Sequence, residues 1–199
     1  MKNKFRFLKI AVLAAVMVFT FVSCGSGGGN YAMVRVPGGS FQMGDTGPAG
    51  GIIFFDRGFI SDGWRYLEAA PVETEFTAPW GSYGKDISST STSIGTGKRN
   101  TQVIVDFLRK IGESETAAQR CTQLNIGGFN DWFLPSKDEL DLMYKNLKQE
   151  GLGGFSDNWY WSSSQYIVNN AWGQRFGDGG QIGDGGKNST GSVRAVRAF

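Results

Sequence analysis

Few residues in this 199-residue chain could do chemistry, and their types say what that chemistry is not. There is no histidine. That removes the commonest general base, the commonest transition-metal ligand and every Ser–His or Cys–His pair. Carboxylates gather at Asp138, Glu139 and Asp141. An acid/base pair could be drawn from them, but they follow Ser136, with Glu139 at the third helical position. That is a capping box, and acidic side chains are favoured at a helix N-terminus on electrostatic grounds alone. The glycine loop Gly44–Gly51 could cradle phosphate only if it opened a helix. It precedes Ile52–Asp56, which has the pattern of a buried strand, and no GK[ST] follows. No catalytic residue, metal site or cofactor is expected.

The two cysteines have separate roles. Lys2, Lys4, Arg6 and Lys9 precede an apolar run from Ile10 to Val22, the layout of a secretory signal peptide. The run is too short for a permanent membrane span, which needs about 20 residues. It ends in Phe21-Val22-Ser23-Cys24, which resembles a bacterial lipobox, and Gly25-Ser26-Gly27-Gly28-Gly29 reads as a flexible tether. The expected organisation is a leader over 1–23, a lipidated Cys24, a tether over 24–30 and one domain over 31–199. Cys121, alone after Cys24 is lipidated, forms no intrachain disulfide and reads as a small buried hydrophobe. Without Asp after Cys24, the expected address is the outer membrane, facing outward. The net charge of +2 and the scattered Lys and Arg imply no nucleic-acid partner.

The mature length, about 175 residues, is enough for one domain with a real core. Hydrophobic periodicity places the elements. A hairpin is expected over Met33–Val36 and Ser40–Gly44, then strands at Ile52–Asp56 and Gly63–Ala70. Glu73–Gly97 reads as a long surface loop with Trp80 tucked back. Helices are expected over Asn100–Ile111, with Asn100 as cap, over Ser114 or Glu115 to Leu124, and after Ser136. Gly127–Pro135 reads as a turn and a short strand.

The last forty residues, Tyr160–Phe199, mix two kinds of side chain. Trp161, Trp172, Phe176, Val193, Val196 and Phe199 are anchors suited to a core. Between them lie Gly, Asp, Asn, Ser, Tyr and Ile in no helical or strand period. Such a stretch is either a glycine-rich hairpin meander or a displayed loop surface on a fixed frame.

Three stretches carry a family resemblance. Met33–Gly44 resembles the opening of formylglycine-generating-enzyme-like domains. Gly44–Phe55, NDWFLPSKDEL at Asn130–Leu140, YWSSS at Tyr160–Ser164 and VRAVRAF at Val193–Phe199 resemble the C-terminal domain of Legionella collagen-like protein. Both resemblances imply an α+β, C-type lectin-like fold: two or more helices packed on small twisted antiparallel sheets, rich in loops. The tail further resembles the variable region of diversity-generating retroelement proteins of the Treponema variable protein group, where adenine-directed mutagenesis rewrites Asn codons. Randomising both adenines of an AAY codon never yields Trp, Gln, Glu, Lys or Met. Between Trp161 and Phe199 the residues outside the reachable set are Gln165, Trp172, Gln174, Gln181 and Lys187. The resemblance therefore implies a binding surface made of Tyr166, Ile167, Val168, Asn169, Asn170, Gly173, Arg175, Gly177, Asp178, Gly180, Ile182, Gly183, Asp184, Gly185, Gly186, Asn188, Ser189 and Gly191. Its ligand would be a protein or glycan on another cell. The alternatives are a non-variable surface adhesin or an enzyme of the formylglycine-generating kind, which would need the paired cysteines that the mature chain lacks.

Overall fold

The computed structural model describes residues 40–199. The leader, Cys24, the tether and Met33–Val36 lie outside the described residues. The architecture is α+β, as expected, with two sheets. Strands β1 (Ile52–Ser61) and β2 (Trp64–Ala69) pair antiparallel, and β8 (Val196–Ala198) adds to β2, giving the order β1-β2-β8. The second sheet contains β3 (Phe76–Pro79), β4 (Trp159–Ile167), β5 (Asn170–Arg175), β6 (Gln181–Gly186) and β7 (Thr190–Val193) in the order β3-β7-β4-β5-β6. One pair departs from the antiparallel expectation: β4 meets β7 in parallel, through Tyr160 and Ser192.

Period-two alternation in β4 divides the core. Trp161 lies on one face with Trp80, Val193 and the helices α1 (Gly97–Ile111) and α2 (Ala117–Gln123), whose Ile104, Leu108, Ala117 and Cys121 are buried there. Tyr160 lies on the other with Phe176 and Phe155, covered by α3 (Lys137–Met143) and the π-helical turn Tyr144–Lys148 that continues it. Phe54, Leu67 and Val196 bring the small sheet into that second cluster. Each large side chain so buried stabilises the fold by about 1.5–3 kcal/mol. The Cys121 thiol, fully enclosed, is pushed well above its usual pKa by burial.

Three local expectations are corrected. Ser40–Gly44 is not a strand: a turn at Met43–Gly44 leads into the Gly44 N–H to Ile53 carbonyl bond. Glu73–Gly97 is not simply a surface loop. It begins inside a 3-10 turn at Val72–Thr74 and contains the edge strand β3, and Trp80 and Ile87 from it are buried. Asn100 does not cap α1, which begins at Gly97. Its buried amide instead donates to the Ser91 carbonyl (2.6 Å) and Ser163 Oγ (3.2 Å), while its oxygen accepts from Ser91 N–H.

The capping box at Ser136 is present, and Glu139 does more than local capping. Its carboxylate accepts from Ser136 N–H (2.7 Å) and, across the interface, from Gly95 N–H (2.8 Å) and Gly97 N–H at the start of α1. One buried side chain thus satisfies orphan donors of two helices. Burial raises its pKa and these N–H groups oppose the rise.

Candidate functional site

The tail folds as the meander β4-β5-β6 and the return strand β7, so its turns fall at both ends of the second sheet. At one end, Tyr166, Ile167 and Val168 are 51, 51 and 43 % exposed. With Asn169 they form the tip of the β4–β5 hairpin. The β6–β7 turn, with exposed Asn188 and Ser189, lies beside it: Lys187 N–H donates to the Asn169 carbonyl (2.9 Å). Tyr166 packs edge-on against Trp172 (4.8 Å between centroids), and Lys137 Nζ stands 5.2 Å from the Trp172 ring.

At the other end lies the β5–β6 turn with Arg175, Gly177, Asp178 and Gly180. Asp178 accepts from Gly180 N–H (2.9 Å) and pairs with Arg175 (3.0 Å); the N–H first and the guanidinium second hold its carboxyl below the usual range. Six-residue β5 separates the two ends, about 17 Å at strand rise. The structure therefore does not bring all the candidate positions into one patch. The larger group is Tyr166–Asn170 with Ile182–Gly186, Asn188 and Ser189.

Four candidate glycines face an aromatic ring: a Cβ at Gly183 would come within 2.7 Å of Tyr166, and the other three lie against Trp159. Trp159 lies across Gly173, Gly185 and Gly191, and a Cβ at Gly173 or Gly185 would overlap its ring. At Gly191 a Cβ would come within 2.9 Å of both Trp159 and Trp161. Gly173 and Gly191 are buried. Any larger residue at these three sites requires Trp159 to leave its cradle. Its indole Nε1 is buried there without a hydrogen-bond partner, so only packing holds it.

Four of the five residues outside the reachable codon set, all but Trp172, tie the tail to the rest of the domain. Gln165 Oε1 accepts from Ile87 N–H (2.7 Å) and from Lys187 Nζ (2.6 Å), while its amide nitrogen donates to Asp86. Gln174, fully buried, donates to Asp141 (2.9 Å) and the Gly179 carbonyl (3.1 Å). Gln181 donates to the Lys137 carbonyl (3.3 Å). Lys187 is fully buried with no carboxylate in contact. Its ammonium donates to the Lys85 carbonyl (2.9 Å) and Gln165, and lies 4.8 Å from the Trp80 ring. It pins the tail to the Trp80–Ile87 loop.

Desolvation brings the Lys187 ammonium down to about 8; the charges of Asp86 and Glu113 oppose this. The folded value lies below the unfolded one, so this group's contribution to stability is present in full above pH ~10.5 and is lost as pH falls through ~8. The unfolding free energy of the natural chain, minus that of Lys187→Met, is expected to rise between pH 7 and 10. Urea titrations across that range provide the check. A flat difference would mean that the ammonium is not desolvated.

VRAVRAF contains a signal that hydrophobic periodicity does not read. Arg194 and Arg197 are buried like their neighbours Val193 and Val196. Arg194 pairs with Glu75 (2.6 Å) and donates to the Gly153 carbonyl (2.8 Å); Arg197 pairs with Asp131 (2.9 Å) and with fully buried Glu68 (3.3 Å). Burial raises the Glu68 pKa, offset in part by the Gly51 N–H and Arg197. Among the described residues no group of three or more Cys, Asp or Glu could hold a metal ion. No helix among them is long and apolar enough to cross a membrane.

A family model, the Lcl C-terminal domain, matches residues 77–197. The chain belongs to that family. The Lcl C-terminal domain match spans Asn130–Leu140 and Tyr160–Ser164 and reaches into Val193–Phe199, in agreement with the resemblance read there. Gly44–Phe55 and Met33–Gly44 precede the matched residues of the Lcl C-terminal domain. Among solved structures, a fimbrial protein from Bacteroides ovatus ATCC 8483 is similar, with a TM-score of 0.52 at 14 % identity. The likeness covers 69 % of this chain and 36 % of that one, so this chain spans about a third of its length and shares the fold alone. No curated protein matches the sequence.

Proposed function

We propose that this Lcl C-terminal domain is a surface-displayed, lipid-anchored binding module of C-type lectin-like architecture, and that its tail is a diversifiable recognition surface. One observation carries the reading. Four of the five residues that adenine-directed mutagenesis cannot produce bond to the frame through their side chains, Gln165, Gln174, Gln181 and Lys187, and the fifth, Trp172, packs against Tyr166. The reachable residues Tyr166, Ile167, Val168, Asn169, Asp184, Asn188 and Ser189 are exposed. Tyr166 is the strongest candidate contact, since tyrosines dominate binding energy in such patches. The ligand is a protein or glycan on another cell.

The test substitutes Tyr166, Ile167 and Val168 together by Asn. Exposed changes shift stability by less than about 0.5 kcal/mol each, so the melting temperature is expected to hold within a few degrees while adhesion to ligand-bearing cells is lost. A variant that unfolds would remove the basis of the reading. A second reading, a fixed adhesin, is favoured by the Trp159 cradle, which closes Gly173, Gly185 and Gly191 to variation. An Asn-rich near-copy of the tail's coding sequence beside a reverse transcriptase gene separates the two.

A further inference from the structure

Far from the tail, in the β1–β2 hairpin, Asp56 pairs with Tyr66 and Ser61 with Trp64. Four residues, Arg57-Gly58-Phe59-Ile60, therefore stand opposite Arg65 alone, and the surplus is thrown out of the sheet. The bulge is built rather than loose. Asp56 Oδ1 accepts from Gly58 N–H (2.7 Å), and Gly58 takes the left-handed φ of 87° that this turn requires. Arg57 donates to the Ser61 carbonyl (3.1 Å) and lies 4.7 Å over the Trp64 ring. What this scaffold presents is apolar: Phe59 is 64 % and Ile60 76 % exposed, the two most exposed large hydrophobics among the described residues. The charges around them cancel in pairs, Arg65 with Asp56 (2.7 Å) and Arg57 with Asp62 (3.3 Å).

The entry of the N-terminal segment is close by. Phe41 packs edge-on against Tyr66 (5.3 Å) and Phe199 (5.6 Å), and Tyr66 is the partner of Asp56 at the base of the bulge. Cys24 lies 17 positions before Phe41, and a chain of that length reaches at most about 60 Å.

We propose that the Phe59–Ile60 knob is a membrane-facing foot that inserts into the interface of the bilayer holding the lipid anchor. This rests on the lipid-anchor reading above. A neutral, preorganised apolar knob adsorbs weakly by itself. Beside a short tether its local concentration at the bilayer is high, and weak insertion is then sufficient to fix the domain's orientation. The foot sets the domain on the membrane by its small sheet instead of letting it tumble on the tether.

The test labels Ile60→Cys with an environment-sensitive fluorophore in the lipidated chain, reconstituted in vesicles of phosphatidylethanolamine and phosphatidylglycerol. Cys121 is buried and does not compete for label. A label at position 60 is expected to shift blue and to be quenched by brominated lipid, while one at Tyr166→Cys stays aqueous. In the unlipidated Cys24→Ser chain, Phe59→Ser with Ile60→Ser is expected to weaken vesicle association at least about tenfold at unchanged melting temperature. An aqueous signal at position 60 in the anchored chain overturns the proposal, including the case where the label becomes buried only when other cells or proteins are added. Retention of the natural chain, but not Cys24→Ser, in the membrane fraction tests the anchor separately, so failure of the foot and failure of the anchor are distinguishable.

Discussion

Trp161→Ala is expected to cost about 3–5 kcal/mol, the range for truncating a fully buried tryptophan. Trp161 is fully enclosed, donates to the Ala78 carbonyl (3.1 Å) and meets the Trp159 ring at 4.0 Å. Its loss opens a cavity at the centre of the larger sheet, orphans a carbonyl of the edge strand β3 and removes the wall against which Trp159 rests. Domains of this size have about 5–15 kcal/mol in all, so the melting temperature should fall by roughly 6–20 °C. Ligand binding should fail with it, because Trp161 lies in the strand that presents Tyr166–Val168. Calorimetry and urea denaturation are the measurements. A loss under ~1 kcal/mol would mean that the tail is not locked by its aromatic anchors, and the proposed recognition surface would have no fixed frame.

Arg194→Ala is the second large effect. The guanidinium, essentially unexposed, forks onto Glu75 and donates to the Ala70 and Gly153 carbonyls while stacking on Phe155 at 4.3 Å. It joins the end of β2, the turn before β3 and the Gly153 loop. Truncation leaves the buried Ala70 carbonyl and the half-buried Gly153 carbonyl without the guanidinium, and Glu75 with only the Tyr160 hydroxyl. Breaking a buried pair in this way costs about 3–5 kcal/mol. Arg194→Lys should recover only part of that, since an ammonium lacks the planar fork. A double-mutant cycle with Glu75→Gln should give a coupling of at least ~1 kcal/mol by urea denaturation. Additive losses would mean that the pair is incidental and that Arg194 acts through packing alone.

Much of the local structure could be read from residue order. The apolar runs at Ile52–Asp56 and Gly63–Ala70 are strands, longer or shorter by a few residues, and β1 runs on to Ser61 because its bulge follows the apolar core of the run. The Ser136–Glu139 box starts α3 where its spacing requires. Asn100 misled for a physical reason. Asparagine is a good cap and also a good buried crosslinker, and which role it takes depends on whether Ser91 and Ser163 come within reach. β3 was hidden because a four-residue edge strand containing Pro79 has almost no periodicity; its partner β7 lies more than a hundred residues away in the chain.

By itself, then, the sequence determined the α+β class, the capped start of α3 at Ser136, the absence of histidine chemistry and the spacing of large apolar anchors among small residues in the tail. These depend on side-chain type and on neighbours within a turn or a strand. Tertiary structure alone decided that Arg194, Arg197 and Lys187 are interior, that Gly173, Gly185 and Gly191 belong to Trp159, and that the candidate positions divide between two ends of a sheet. Burial of a charge depends on acceptors brought from elsewhere in the chain, and room for a side chain depends on the ring that happens to lie above it. Neither quantity is local, so neither is written in the order of the residues nearby.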